Sequence, residues 1–159
     1  MTAVIDERAI LLDSKERVSG TTSVRILLVD DFSPCRELAS LLLQTQDGFQ
    51  IVGEARDGRD AIQKAKLIKP DLIVLDMNLP LLNGLEVARQ IRDCSPASTI
   101  LFLSANSDPE MVREAFHAGA LGYIHKFDAV VELVEAAKAV LSGKRFISHR
   151  LRKQIEHPD

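Results

Sequence analysis

The sequence is poor in the residues that many binding functions rely on. It contains no Trp, one Tyr and two Cys among 159 residues. Binding of single-stranded nucleic acid usually depends on bases stacking on aromatic side chains, so this composition disfavours that function. Cys35 and Cys94 stand in no CxxC or His/Cys spacing, which indicates neither a thiolate metal site nor a disulfide framework and favours a reducing compartment.

Long apolar runs are also missing. No run approaches the roughly 20 residues that a helix needs to span a bilayer. The first residues do not show the charged start and apolar stretch of a signal peptide. We therefore expect a cytoplasmic protein with no membrane partner.

The charge is small overall but unevenly distributed. The net charge is −3, yet residues 144–159 hold five Lys or Arg and two Asp or Glu, while the preceding residues hold 15 basic and 21 acidic residues. Such an acidic body is a poor surface for nucleic acid. The basic end is too short to form a DNA-binding domain by itself.

Three segments are expected from composition and pattern. Residues 1–23 end in a polar stretch and predict a flexible N-terminal extension. Residues 24–143 predict one globular domain, and residues 144–159 predict a basic C-terminal tail or the remnant of a linker. A short helix with Leu151 and Ile155 one turn apart is an alternative for this tail, but a solvated, partly frayed tail is the expectation.

Five short apolar runs alternate with amphipathic stretches between Arg25 and Gly143. Three of the runs are apolar at every position, which is typical of strands covered by helices on both faces of a parallel sheet. The alternation predicts a doubly wound α/β fold with five strands in the order 2-1-3-4-5. The runs are residues 26–29, 51–52 with Ala55, 72–75, 100–103 and 123–124.

Chemically active side chains stand at the carboxyl ends of these strands, where such folds bind ligands. Each of them alone is more often a cap, a turn residue or a solvated side chain. Gathered at one edge, three carboxylates repel each other and favour a hard divalent cation, Mg²⁺ or Mn²⁺, whereas a lysine there suits a phosphoryl oxygen. The residues are Asp30, Asp31, Asp76, Ser104 and Lys126.

Residues 25–148 resemble a response-regulator receiver domain, the phosphate-accepting part of two-component signalling. The resemblance rests on residues 26–31, 76–80 with Gly84, 103–105, 119–120, 122–123 and Lys126. It is nearest to the NarL/FixJ branch because of residues 76–80 and 143–148.

The resemblance implies a metal-dependent phosphoacceptor. Asp76 would accept a phosphoryl group from a kinase histidine or a small phosphodonor. Asp31, Asp76 and the main-chain carbonyl of Asn78 would ligate Mg²⁺, and Asp30 would act through a coordinated water. Beyond intrinsic self-phosphorylation and dephosphorylation, no enzyme activity is implied.

The resemblance also implies a switch. Lys126 and Ser104 would contact the phosphoryl group, and Tyr123 would rotate inward behind Ser104. Taken without the resemblance, Tyr123 would suit an ordinary edge position with its hydroxyl in water. His125 is expected to be an outward edge residue, and Phe127 replaces the proline found in many receivers.

The output is less defined by the sequence. The NarL/FixJ branch continues into a helix-turn-helix, and too few residues follow Ser148 to build one. We expect a regulator that signals by phosphorylation-dependent contact with a protein or a second copy, or a phosphorelay carrier, without specific DNA binding. The alternatives are the receiver part of a truncated transcription factor and, least supported, an enzyme or flavin protein on the same fold.

Overall fold

The computed structural model describes residues 23–156, which form a parallel sheet with helices on both faces. No helix in this part of the chain is both long and apolar enough to cross a membrane. The extension predicted for residues 1–23 lies, except for its last residue, outside the described residues. The elements are β1 Val24–Val29, α1 Ser33–Gln44, β2 Phe49–Ala55, α2 Gly58–Ile68, β3 Leu72–Leu75, α3 Gly84–Cys94, β4 Thr99–Ser104, α4 Pro109–His117, β5 Gly122–His125, a 3-10 turn Lys126–Asp128, α5 Ala129–Leu141, β6 Phe146–Ile147 and α6 His149–Glu156.

The strand order is β2-β1-β3-β4-β5-β6, and every pair is parallel. The predicted fold class and the order of the first five strands are confirmed. The sixth strand was not predicted, because its two residues, Phe146 and Ile147, are too few to show a periodic pattern. It pairs with Gly122 and Tyr123 and so covers the outer edge of β5.

Two apolar layers hold the helices to the sheet. Successive strand residues point to opposite faces. Leu27 and Val29 therefore belong to the apolar layer that contains residues of α2, α3, α4 and α6, whereas Ile26 and Leu28 belong to the layer with α1 and α5. This two-sided cover explains why the central strands are apolar at every position.

Helices α4 and α1 begin differently, although each has a proline in its first turn. The Asp108 side chain accepts the N–H of Glu110 at 3.0 Å, and Pro109 occupies the first turn of α4. At α1 Ser33 is the first helical residue, and Phe32 precedes it without a side-chain cap. The first turn of α1 has one fewer N–H group that needs an acceptor, because Pro34 has no N–H.

The C-terminal segment differs from the solvated tail that we expected. Residues 146–147 form β6, and His149–Glu156 forms α6. Leu151 is 1% exposed and belongs to the core layer of α2 to α4. The tail is ordered because the edge of β5 offers backbone partners and the core offers a place for Leu151.

Candidate functional site: an acidic pocket at the strand ends

The carboxylates of Asp30, Asp31 and Asp76 meet at the carboxyl edge of the sheet. One oxygen from each lies within 4.8 Å of the others. Asp30 follows β1 and Asp76 follows β3, and these strands are neighbours that end in register at Val29 and Leu75. Asp30 and Asp76 are each 5% exposed, whereas Asp31 is exposed. The structure thus brings together the three carboxylates that the sequence placed at strand ends.

Lys126 joins two of these carboxylates. Its Nζ lies 2.8 Å from Oδ2 of Asp30 and 3.3 Å from Oδ2 of Asp76. Burial acts to lower the pKa of Lys126, but the hydrogen bond to Asp30 and the charges of Asp76 and Asp30 raise it overall. The ammonium is therefore positively charged at neutral pH.

One ammonium does not balance this pocket. Burial, followed by the charge of Asp30, raises the pKa of Asp76 from an ordinary value of 3.8 to about 6, although Lys126 acts against the shift. The pocket has surplus negative charge, and its candidate metal-ligand atoms are carboxylate oxygens. Such a donor set fits a hard divalent cation such as Mg²⁺, which is commonly held by one or two carboxylates.

The loop between β3 and α3 folds tightly over Asp76. The N–H of Asn78 donates to Oδ1 of Asp76 at 3.4 Å, and the N–H of Gly84 donates to the carbonyl of Met77 at 2.7 Å. A Cβ at Gly84 would lie 2.5 Å from the Asp76 carbonyl oxygen, so only glycine permits this approach. The role of the Asn78 carbonyl as a ligand stays a prediction.

Ser104 and Tyr123 share a backbone partner in the loop after β4. The Oγ of Ser104 accepts the N–H of Asn106 at 3.1 Å, and the Tyr123 hydroxyl donates to the carbonyl of Asn106 at 2.8 Å. Tyr123 is 0% exposed and stacks on Phe102, with ring centroids 5.8 Å apart. Burial raises the pKa of its hydroxyl. Tyr123 is therefore not an edge residue with its hydroxyl in water.

His125 contradicts the expectation of an outward edge residue. It is 6% exposed, its Nδ1 accepts the N–H of Phe127 at 3.0 Å, and its ring lies 4.9 Å from the Phe127 ring. The reason is the C-terminal segment, which covers the edge of β5 and accepts the His125 N–H on Ser148 Oγ. Phe127, which stands where many receivers have proline, lies in the 3-10 turn Lys126–Asp128.

Sequence reasoning missed Arg36, a buried cation beside the pocket. Its Nη1 donates to the main-chain carbonyl of Asp30 at 2.7 Å, and its Nε donates to the carboxylate of Glu54 at 2.8 Å. A signal was available, since Arg36 stands at i, i+3, i+7 spacing with Ala39 and Leu43 on the buried face of α1. A charge on such a face needs a buried partner.

The fold and the pocket define the class of protein. Receiver modules typically have a doubly wound parallel sheet. Carboxylates and a lysine gather at the carboxyl edge of its strands, where the strand order reverses. Residues 26–138 match the response regulator receiver domain family, and the chain belongs to that family.

Similar proteins agree with this assignment. The chain is 31% identical over 132 residues to the response regulator GacA of Pseudomonas viridiflava, covering 83% of this chain and 62% of that protein. It is 32% identical over 132 residues to the response regulator UvrY of Escherichia coli K12, covering 83% of this chain and 61% of that protein. The chain thus spans about three fifths of the length of these relatives.

A solved structure is similar over nearly its whole length. A two-component response regulator of the LuxR family from Aurantimonas sp. SI85-9A1 is 34% identical, with a TM-score of 0.82 over 86% of this chain and 98% of that one. The chain is therefore a receiver domain of two-component signalling, similar to the receiver part of the response regulators UvrY and GacA.

Proposed function

We propose that Asp76 is the phosphoacceptor of this receiver and that its phosphorylation changes the affinity of the chain for a protein partner. One observation carries the proposal: Lys126 bridges the buried carboxylates of Asp30 and Asp76, with Asp31 beside them. A cation fixed at this position is suited to a phosphoryl group carried on Asp76.

The transfer step follows from this arrangement. An oxygen of Asp76 forms a bond to phosphorus while the bond from phosphorus to the donor histidine nitrogen breaks, and the released imidazole takes up a proton. Lys126 then donates to a phosphoryl oxygen as negative charge gathers there. Asp31, Asp76 and the carbonyl of Asn78 would hold Mg²⁺ or Mn²⁺, with Asp30 acting through a water; the cation supplies electrostatic stabilisation of the phosphoryl oxygens.

The response to the phosphoryl group passes through the loop after β4. The Ser104 hydroxyl accepts the Asn106 N–H and keeps its own proton to donate to a phosphoryl oxygen. Because Asn106 also accepts the Tyr123 hydroxyl, a movement of Ser104 displaces the partner of Tyr123. The added charge of about −2 biases this loop between two arrangements, which changes the surface of α4.

The proposed partner is a protein or a second copy of this chain, contacted through α4, β5 and the C-terminal helices. Support comes from a groove of about 600 Å³ beside α4 and α6 that combines an apolar floor with basic groups. Its lining includes Val112, Arg113, Phe116, Arg145, Ile147 and Ile155. Specific DNA binding by these 159 residues is not expected, since their acidic body repels the phosphate backbone.

Incorporation of phosphate from a labelled small phosphodonor in Mg²⁺ tests the proposal. Asp76→Asn should abolish the labelling. The matched control is Asp71→Asn, because Asp71 precedes the same strand at the opposite end of the sheet. Labelling that survives in Asp76→Asn at the level of the control would refute the assignment.

A further inference from the structure

We propose that Arg36 is a positioning residue of the acidic site: it holds the main chain of Asp30 so that the carboxylates of Asp30 and Asp31 are presented to the divalent cation. The inference rests on the proposed function and extends it to a residue outside the pocket's own ligand set.

Asp30 lies one residue beyond Val29, the last position of β1 that pairs with β2 and β3. Three contacts fix its N–H and its side chain: the N–H donates to the Ala55 carbonyl at 3.1 Å, Oδ1 accepts the Phe32 N–H at 2.9 Å, and Oδ2 accepts Lys126. The carbonyl is held by Arg36 at 2.7 Å. This fourth contact fixes the peptide that joins Asp30 to Asp31.

Arg36 is itself held in one orientation. Its side chain is 8% exposed, and the hydrogen bond of 2.8 Å from Nε to the Glu54 carboxylate attaches it to β2. Donors on two different nitrogens of a planar guanidinium fix both the position and the plane of the group. The carboxylate of Glu54 also balances the buried charge, so Arg36 does not need the pocket carboxylates as counter-ions.

Charge and positioning predict opposite results when Arg36 is removed. A buried cation beside a cation site repels the incoming metal, so electrostatics alone predicts that loss of Arg36 strengthens Mg²⁺ binding. Positioning predicts weaker binding, because the main chain between Asp30 and Asp31 gains freedom. The sign of the change in affinity therefore separates the two effects.

The experiment is Mg²⁺ titration of the full chain, followed by NMR or calorimetry, for the wild type and three variants. Arg36→Gln should weaken Mg²⁺ binding about 10-fold, as loss of a supporting contact around a metal site typically does. Arg36→Lys keeps the charge but lacks the planar guanidinium that donates from two nitrogens. It should also bind Mg²⁺ more weakly than the wild type. Arg25→Gln is the control, since Arg25 donates to the carbonyls of Ile68 and Lys69 at the other end of β1.

A metal-free measurement completes the test. Hydrogen exchange at the Phe32 amide, which donates to Asp30, should be faster in Arg36→Gln than in Arg25→Gln, even if both variants lose similar stability. Should Arg36→Gln not fold, Arg36→Lys decides the question: it keeps the charge, so electrostatics predicts unchanged Mg²⁺ binding, whereas positioning predicts weaker binding than in Arg25→Gln. Unchanged or tighter Mg²⁺ binding in the folded variant overturns the positioning role; failure of the wild type to bind Mg²⁺ overturns the proposed function as well.

Discussion

The hydroxyl of Ser148 donates a 2.7 Å hydrogen bond to the carboxylate of Glu132, and both side chains are buried. The same hydroxyl accepts the N–H of His125 at 2.9 Å, and the second carboxylate oxygen accepts the N–H of His149 at 3.1 Å. This network joins the start of α6 to β5 and α5. The C-terminal segment is thus attached directly beside Lys126, which follows His125 in the chain.

We expect Ser148→Ala to destabilise the protein by about 1–3 kcal/mol, because it leaves the His125 N–H without its acceptor and removes a donor from the buried carboxylate of Glu132. Urea unfolding followed by circular dichroism measures the change. Ser142→Ala is the control, because the Ser142 hydroxyl bonds the Ala139 carbonyl at an exposed site. Equal midpoints for the two variants would contradict the structural role of this network.

Asp31→Ala should separate metal binding from folding. Asp31 is exposed and contributes negative charge beside Asp30 and Asp76, so its removal relieves repulsion. In EDTA the free energy of unfolding should stay the same or rise, whereas Mg²⁺ affinity should fall at least about 10-fold, since a ligand matters no less than a supporting contact. Marked unfolding without metal would instead identify Asp31 as a structural cap.

Asp76 should make metal-free stability depend on pH. Its pKa is 3.8 ordinarily and about 6 in the folded state, so between these values the folded state binds more protons than the unfolded one. Stability therefore falls as pH rises through this window, and the penalty is complete above pH 6. After allowance for solvent screening, we expect a penalty of about 2 kcal/mol.

The comparison with Asp76→Asn isolates this contribution, since the amide does not titrate. In EDTA, urea unfolding of both proteins at pH 4.5 and pH 7 should show a relative stabilisation of the variant that is larger at pH 7. A difference that is independent of pH would show that the pKa of Asp76 is not raised.

Tyr123→Phe should report on the bond between the Tyr123 hydroxyl and the carbonyl of Asn106. The ring keeps its stacking on Phe102, so only the hydrogen bond is lost, at about 1 kcal/mol. Addition of beryllofluoride and Mg²⁺ should change the amide chemical shifts of Asn106 and Ser107 less in Tyr123→Phe than in the wild type. Identical shift changes would exclude Tyr123 from the switch.

The site could be predicted from short patterns in the sequence. Parallel strands end at one edge, so Asp30, Asp31 and Asp76 had to converge once the strands were recognised from their apolar runs. Lys126 was placed at the same edge because it directly follows the fifth strand. The fold class and the order of the first five strands needed only this periodicity and the handedness of crossovers.

Other features depended on contacts between distant parts of the chain. Arg36 could be seen as a charge on an apolar helix face, but its partners, the Asp30 carbonyl and Glu54, are fixed only when α1 packs across β1 and β2. The order of β6 and α6 likewise depends on the free edge of β5 and on a buried place for Leu151. The sequence by itself determined which groups stand at the strand ends, because strand direction places them there. Only the tertiary structure decided how those groups are held, because a buried polar group takes whichever partner the packing brings within hydrogen-bond distance.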